Sequence, residues 1–220
     1  MELRSDFQQR AVVIAGEESW TASPMPGVDR LMLDRIGGEK ARATSVVRYA
    51  PGSVFPEHVH DKGEEFLVLE GIFSDEHGDF GPGTYVRNPP GSSHSPGSKP
   101  GCTLFVKLRQ FDPSDSSQVV IDTNTAAWSP GLVPGLRVLP LHSFGAEHVA
   151  LVRWDAGTVF DRHGHPQGEE IFVIDGVFED EQGRYPAGSW LRNPAGSSHA
   201  PSSTEGCLIY VKTGHLPSPV

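Results

Sequence analysis

Residues Gly52 to Gly71 read GSVFPEHVHDKGEEFLVLEG, and residues Gly157 to Gly176 read GTVFDRHGHPQGEEIFVIDG. Both stretches place a glycine, a His-x-His pair, a Gly-Glu-Glu triplet and a closing glycine at the same spacing. Extended outward, the match runs from Arg48 to Lys107 and from Arg153 to Lys212 at a constant offset of 105, with 29 of 60 positions identical. Upstream, the same offset sets Leu31-Met32-Leu33 opposite Leu136-Arg137-Val138. Two copies at this period mean two like domains, not a solenoid of short repeats. The first domain is expected over 1–111 and the second over 128–220. Between them, 112–127 opens with Asp-Pro-Ser-Asp-Ser-Ser, a composition typical of a linker.

Each copy reads as β-structure. Arg42 to Tyr49 alternates as a half-buried strand does, and Phe66 to Leu69 is a short apolar run closed by Gly71. Phe73 to Phe80 holds Glu76-His77-Gly78-Asp79, a hairpin turn in which glycine supplies a positive φ. Thr84 to Val86 and Thr103 to Leu108 complete the set, and Ile171 to Ile174 and Leu208 to Val211 repeat it. Short strands at regular intervals predict barrels or sandwiches. The 25 glycines and 19 prolines, a fifth of the chain, disfavour long helices.

The formal charge of −10 repels a phosphate backbone, so direct nucleic-acid binding is not expected. Two cysteines, Cys102 and Cys207, make no disulfide framework and point to a reducing compartment. No apolar run approaches the ~20 residues of a membrane span, and the first 20 residues lack a signal-peptide core. A soluble cytoplasmic protein without membrane attachment is expected.

Six of the ten histidines fall at paired positions: His58 with His163, His60 with His165, His94 with His199. On a strand, His-x-His turns both rings to one face. Glu64 and Glu169 follow four residues after the second histidine, while Glu65 and Glu170 should face the other way. Three imidazoles and a carboxylate suit a first-row divalent cation.

These spacings resemble the two motifs of the cupins. The first motif is matched by Gly52, His58, His60, Glu64 and Gly71, and again by Gly157, His163, His165, Glu169 and Gly176. The second is matched by Gly83, Pro89, Gly91 and His94, and by Gly188, Pro194, Gly196 and His199; Ser98 and Ser203 stand where the motif has Asn, which is not a ligand. The finer resemblance is to the ChrR-like cupin domain. It rests on Gly63–Glu76, on Tyr85–His94, on Gly101-Cys102, and on an opening Trp20 with Pro26-Gly27 and Trp128 with Pro130-Gly131. The resemblance implies an all-β bicupin: two tandem double-stranded β-helix (jelly-roll, RmlC-like) barrels. Each would hold one divalent metal through three histidines and a glutamate. Zinc is the first choice, with iron, manganese and nickel as alternatives. It implies regulation, through sensing of an oxidant or small ligand; the alternative is a non-haem iron dioxygenase acting on a β-diketone or hydroxyketone. An ECF-type sigma factor is the implied protein partner, although the zinc-binding helical domain that holds it is not matched here. A monomer with internal pseudo-two-fold symmetry or a homodimer is expected, and no residue is assigned as catalytic.

The remaining candidates have plainer expectations. Cys102 and Cys207 read as small buried hydrophobes, and Tyr85 and Trp190 as barrel packing. Arg87 and Arg192 could meet an anion or form strand-surface ion pairs. Asp75-Glu76 and Asp180-Glu181 read as solvated turns, and His77, His142, His148 and His215 as surface.

Overall fold

The computed structural model describes residues 1–216, and every regular element in that range is a β-strand. Residues whose alternation predicts strands form them: Arg42–Tyr49, Glu64–Gly71, Thr84–Asn88 and Cys102–Leu108 in the first copy, and Glu169–Asp180 and Cys207–Thr213 in the second. Phe73–Asp75 and Gly78–Phe80 form the expected hairpin.

In the first copy one antiparallel sheet runs in the order Glu2–Leu3, Val28–Ile36, Arg42–Tyr49, Cys102–Leu108, Glu64–Gly71, Thr84–Asn88, Val119–Asp122. A smaller sheet joins Gly78–Phe80, Phe73–Asp75, Gly97–Ser98 and Ser53–Val54. The side chains of Phe66, Val68, Phe73, Val86, Leu104 and Val106 fill this barrel. The second copy repeats the arrangement, with Ile171, Val173, Phe178, Leu191 and Ile209 as its core and the sheet ending on Ala11–Val13. Both copies carry the same irregularities, which keep strands in phase by bending them. The register slips between Thr103 and Leu104 and again between Val173 and Asp175.

Two expectations are corrected. The chain divides into Met1–Ser5 with Ser19–Ala126, and Asp6–Glu18 with Ala127–Val220. Residues 112–126 therefore belong to the first unit, where Val119–Asp122 pairs with Thr84–Asn88. Residues 6–18 belong to the second, where Ala11–Val13 pairs with Trp190–Asn193. The segment ahead of each repeat completes the barrel of the other, because that barrel's edge strand has backbone N–H and C=O groups to satisfy.

The upstream alignment also shifts. Val28 pairs with Tyr49 as Leu136 pairs with Trp154, so Leu136 matches Val28 and not Leu31. The offset is 108 before the hairpin and 105 after it, because the connection spans 37–41 in the first copy and 145–146 in the second. Pro134-Gly135, not Pro130-Gly131, then corresponds to Pro26-Gly27; Gly27 and Gly135 turn the chain at φ of 78° and 88°.

Candidate metal centres

His58 and His94 face one another across the antiparallel pair His58–Val59 and Ser93–His94, and His163 and His199 do the same across His163–His165 and Ser197–His199. Glu64 and Glu169 open the strands Glu64–Gly71 and Glu169–Asp180. All eight predicted residues therefore converge in two clusters. In the first, ring centroids are 4.9 Å apart for His58–His60 and for His58–His94, and 4.7 Å for His60–His94. In the second, the corresponding spacings are 4.8, 5.0 and 4.9 Å.

Each glutamate approaches two of the rings through one oxygen. Glu64 Oε2 lies 3.4 Å from His60 Nε2 and 3.6 Å from His94 Nε2; Glu169 Oε2 lies 3.5 Å from both His165 Nε2 and His199 Nε2. In the second cluster, donor atoms of all four residues fall within 4.8 Å of one another, whereas the first holds its three histidines to that limit.

The surrounding bonds set the ring tautomers. His58 Nδ1 faces the Pro56 carbonyl at 3.4 Å and His163 Nδ1 the Asp161 carbonyl at 3.0 Å. A carbonyl only accepts, so Nδ1 carries the proton and Nε2 keeps its lone pair. Asp75 Oδ2 lies 3.2 Å from His94 Nδ1 and does the same for that ring, a carboxylate–histidine arrangement that orients metal ligands. Asn88 and Asn193 donate through Nδ2 to Glu64 and Glu169, at 3.4 and 3.1 Å.

Burial dominates the electrostatics. It lowers the His60 and His165 imidazoles to about 4, with neighbouring histidines pushing the same way. It raises the Glu64 and Glu169 carboxyls above their ordinary range, although His94 and His199 pull them back. Neutral imidazoles with free lone pairs are the form in which histidine binds a cation.

Several residues behave differently from their sequence reading. Asp75 and Asp180 are not solvated: their side chains are 4% and 0% exposed and stand behind His94 and His199. Arg87 is fully buried between Glu65 Oε2 and Asp115 Oδ2, each 2.6 Å away, so it is spoken for inside the protein and not at its surface. Arg192 is also fully buried, with its guanidinium over Phe7 and donating to the Asp6 carbonyl. His215 is buried against Glu170 at 3.0 Å. Glu65 and Glu170 do face away from the clusters, where Tyr85 and Trp190 donate to them. Ser98 and Ser203 reach neither cluster; they donate to the carbonyls of Ile72 and Val177 and so pin neighbouring strands. Cys102 and Cys207 are free and buried, with both thiols pushed up by burial.

Asn88 and Asn193 were within reach of sequence reasoning, since an antiparallel pairing opposite the first glutamate places them there. Arg10 was not. It donates to Asn193 and Asp180, 183 and 170 residues away, and no local pattern encodes that approach.

The sequence matches the ChrR cupin-like domain over residues 8–112 and 116–217. The chain belongs to the ChrR cupin-like family. Its two units are tandem jelly-roll cupin barrels. No curated protein matches the chain. Its structure is similar to a candidate dioxygenase from Nostoc punctiforme, 16% identical, with a TM-score of 0.79 and 97% of this chain and 85% of that one covered. It is similar to YlbA from E. coli, 15% identical, with a TM-score of 0.72 and coverage of 98% and 95%. It is also similar to a variant of oxalate decarboxylase from Bacillus subtilis, 16% identical, with a TM-score of 0.59 and coverage of 96% and 78%. Identities this low carry the fold alone. Among the described residues no helix is long and apolar enough to cross a membrane.

Proposed function

We propose that each barrel binds one divalent metal cation, and that bound metal receives a small ligand in a regulatory role. The ligands are His58, His60, Glu64 and His94 in the first barrel, and His163, His165, Glu169 and His199 in the second. One observation carries the metal reading. His60 Nε2, His165 Nε2 and His199 Nε2 are buried without hydrogen-bond partners, yet each points at a carboxylate oxygen. A buried polar atom left in this way costs about 1–3 kcal/mol, which a shared cation offsets. Histidine nitrogens with one carboxylate suit zinc, and the same donors accept iron, manganese or nickel. A cation held there supplies a Lewis acid to an oxygen donor.

Metal analysis of the purified protein tests this. Two equivalents per chain are expected, and His60→Ala and His165→Ala should each remove one. Unchanged content in both variants overturns the ligand assignment.

Membership of the ChrR cupin-like family supports the regulatory role, with an ECF-type sigma factor as the protein partner. Co-purification with such a factor is the expected result; failure to capture any of the host's sigma factors ends that part of the proposal. A second reading, an iron-dependent dioxygenase, is favoured by the partial solvent exposure of His163 at the second cluster. Oxygen uptake by iron-loaded protein with a panel of β-diketones would support it, and none across the panel would exclude it.

A further inference from the structure

The two clusters share their ligands but not the charges around them. Behind the first lie Glu64 and Asp75, and Asp75 meets His94 with no lysine or arginine of the described residues paired to it. Behind the second lie Glu169 and Asp180, and here Arg10 intervenes. Its guanidinium donates to Asp180 Oδ2 at 3.1 Å and to the Tyr185 hydroxyl at 2.7 Å, and its Nε donates to Asn193 Oδ1 at 3.0 Å. Tyr185 donates in turn to Asp180 Oδ1 at 2.9 Å. Asp180 stands 3.7 Å from His199, further than Asp75 from His94.

The register shows what the first barrel has instead. Ala11 pairs with Arg192 as Val119 pairs with Arg87, so Gln118 stands where Arg10 does. Gln118 is exposed, and Phe80 replaces Tyr185. With a divalent cation in place, Glu64 and Asp75 bring the first centre to neutrality. Glu169, Asp180 and Arg10 leave the second with one positive charge.

The rims differ in the same direction. The residue before the leading histidine is Glu57 in the first barrel and Arg162 in the second. Glu57 accepts from Ser93, beside His94, at 2.9 Å; Arg162 donates to Ser198, beside His199, at 3.3 Å, and pairs with Glu181 at 2.7 Å. Between the two leading histidines, Val59 projects 63% exposed in the first barrel, while Gly164 leaves that place open in the second.

Building on the metal reading above, we infer that the second barrel is the ligand-binding centre, selective for a small monoanionic oxygen or nitrogen donor such as a carboxylate or enolate. The first centre is neutral with its cation alone and is structural. Arg10 sets this difference through charge, without touching the ligand.

Cobalt(II) as metal and azide or acetohydroxamate as anion test it. His60→Ala protein retains the second centre and His165→Ala protein the first. Each should show a Co(II) d–d spectrum, and azide should perturb the second at concentrations at least about tenfold lower, the scale of one unit charge near a partly buried site. In the His60→Ala background, Arg10→Gln should weaken azide binding about tenfold while the Co(II) spectrum persists, and Arg10→Lys should restore it. Arg162→Glu changes only an exposed side chain, so it should lower anion affinity without disturbing the fold, with a loss that shrinks as salt is added. Equal azide affinity at the two centres, or no change in Arg10→Gln protein that still binds Co(II), overturns the inference. Absence of a Co(II) spectrum in both single-centre proteins overturns the metal reading and this inference together.

Discussion

The two barrels hold the same four-residue cluster but brace it differently on the reverse face of the sheet. In the first, Glu65 shares Arg87 with Asp115, and Tyr85 donates to it; the ion pairs are fully buried. In the second, Glu170 accepts from the Trp190 indole and faces His215. One barrel therefore relies on a salt-bridge triad, where losing one member strands a buried charge. The other sets the Trp190 indole and the His215 ring against its glutamate, and losing the indole removes one hydrogen bond. A similar backbone accommodates either solution, because the closing interactions only have to satisfy the same buried carboxylate.

The largest expected effect follows from that contrast. Arg87→Ala should destabilise the protein by about 3–5 kcal/mol, since Glu65 and Asp115 lose a buried partner. Trp190→Phe should cost less, about 1.5–3 kcal/mol, for the loss of one hydrogen bond to a buried carboxylate. Chemical denaturation of both variants checks the ranking, and equal losses would break the comparison.

A change at the closing glycine of the motif should instead treat the barrels alike. A Cβ on Gly71 would fall on the Gly101 carbonyl oxygen, and one on Gly176 on the Gly206 carbonyl oxygen, with φ of 72° and 71°. Gly71→Ala and Gly176→Ala should each cost roughly 2 kcal/mol or more, because backbone cannot move aside as a side chain can. Thermal unfolding of the pair measures whether the two barrels are as superimposable here as their registers indicate.

The third expectation concerns pH in the metal-free protein. Between about pH 6.5 and 4 the unfolded chain protonates its histidines, while folded His60 and His165 stay neutral until about 4. Both therefore make the fold less stable as pH falls through that window. The raised carboxyls of Glu64 and Glu169 act oppositely: above their unfolded pKa the folded chain keeps protons that the unfolded chain has released, a contribution lost as pH rises. Glu64→Gln and Glu169→Gln should each steepen the acid-side loss seen in a melting-temperature series, to a similar degree. A flatter profile in either variant would show that its histidine does not carry the slope.

The smallest effect is expected at the thiols. Burial raises both, and Glu179 and Asp175 push Cys207 further, to about 11. At pH 8 the native protein should resist alkylation, with Cys102 labelled before Cys207 and both labelled readily on unfolding. Mass spectrometry over time gives the order.

Much of the fold was legible because the chain states it twice. The alternation of Arg42 to Tyr49, the apolar run at Phe66 and the turn at Gly78 each recur 105 residues on, so chance agreement at one copy is excluded by the other. The eight clustered residues were legible for the same reason. Asp75 and Asp180 were misread because a carboxylate beside a hairpin glycine is solvated in most settings; only the packing of that hairpin against His94 and His199 removes it from water. His215 was misread because its partner, Glu170, lies 45 residues away on another strand. The upstream alignment slipped because three extra residues in the 37–41 turn leave no trace in composition.

The sequence by itself determined two β units, their strands, and the histidines and glutamates each would gather. A period of two names the face a side chain takes, and a repeat names its counterpart. The tertiary structure alone decided that residues 6–18 complete the second unit and that Val119–Asp122 completes the first. It also decided that Arg10 stands behind one cluster while Gln118 takes its place at the other. The physical reason is that a strand's periodicity specifies which way its side chains point but not which edge its backbone will pair with. That choice belongs to hydrogen bonds made between residues far apart in the chain.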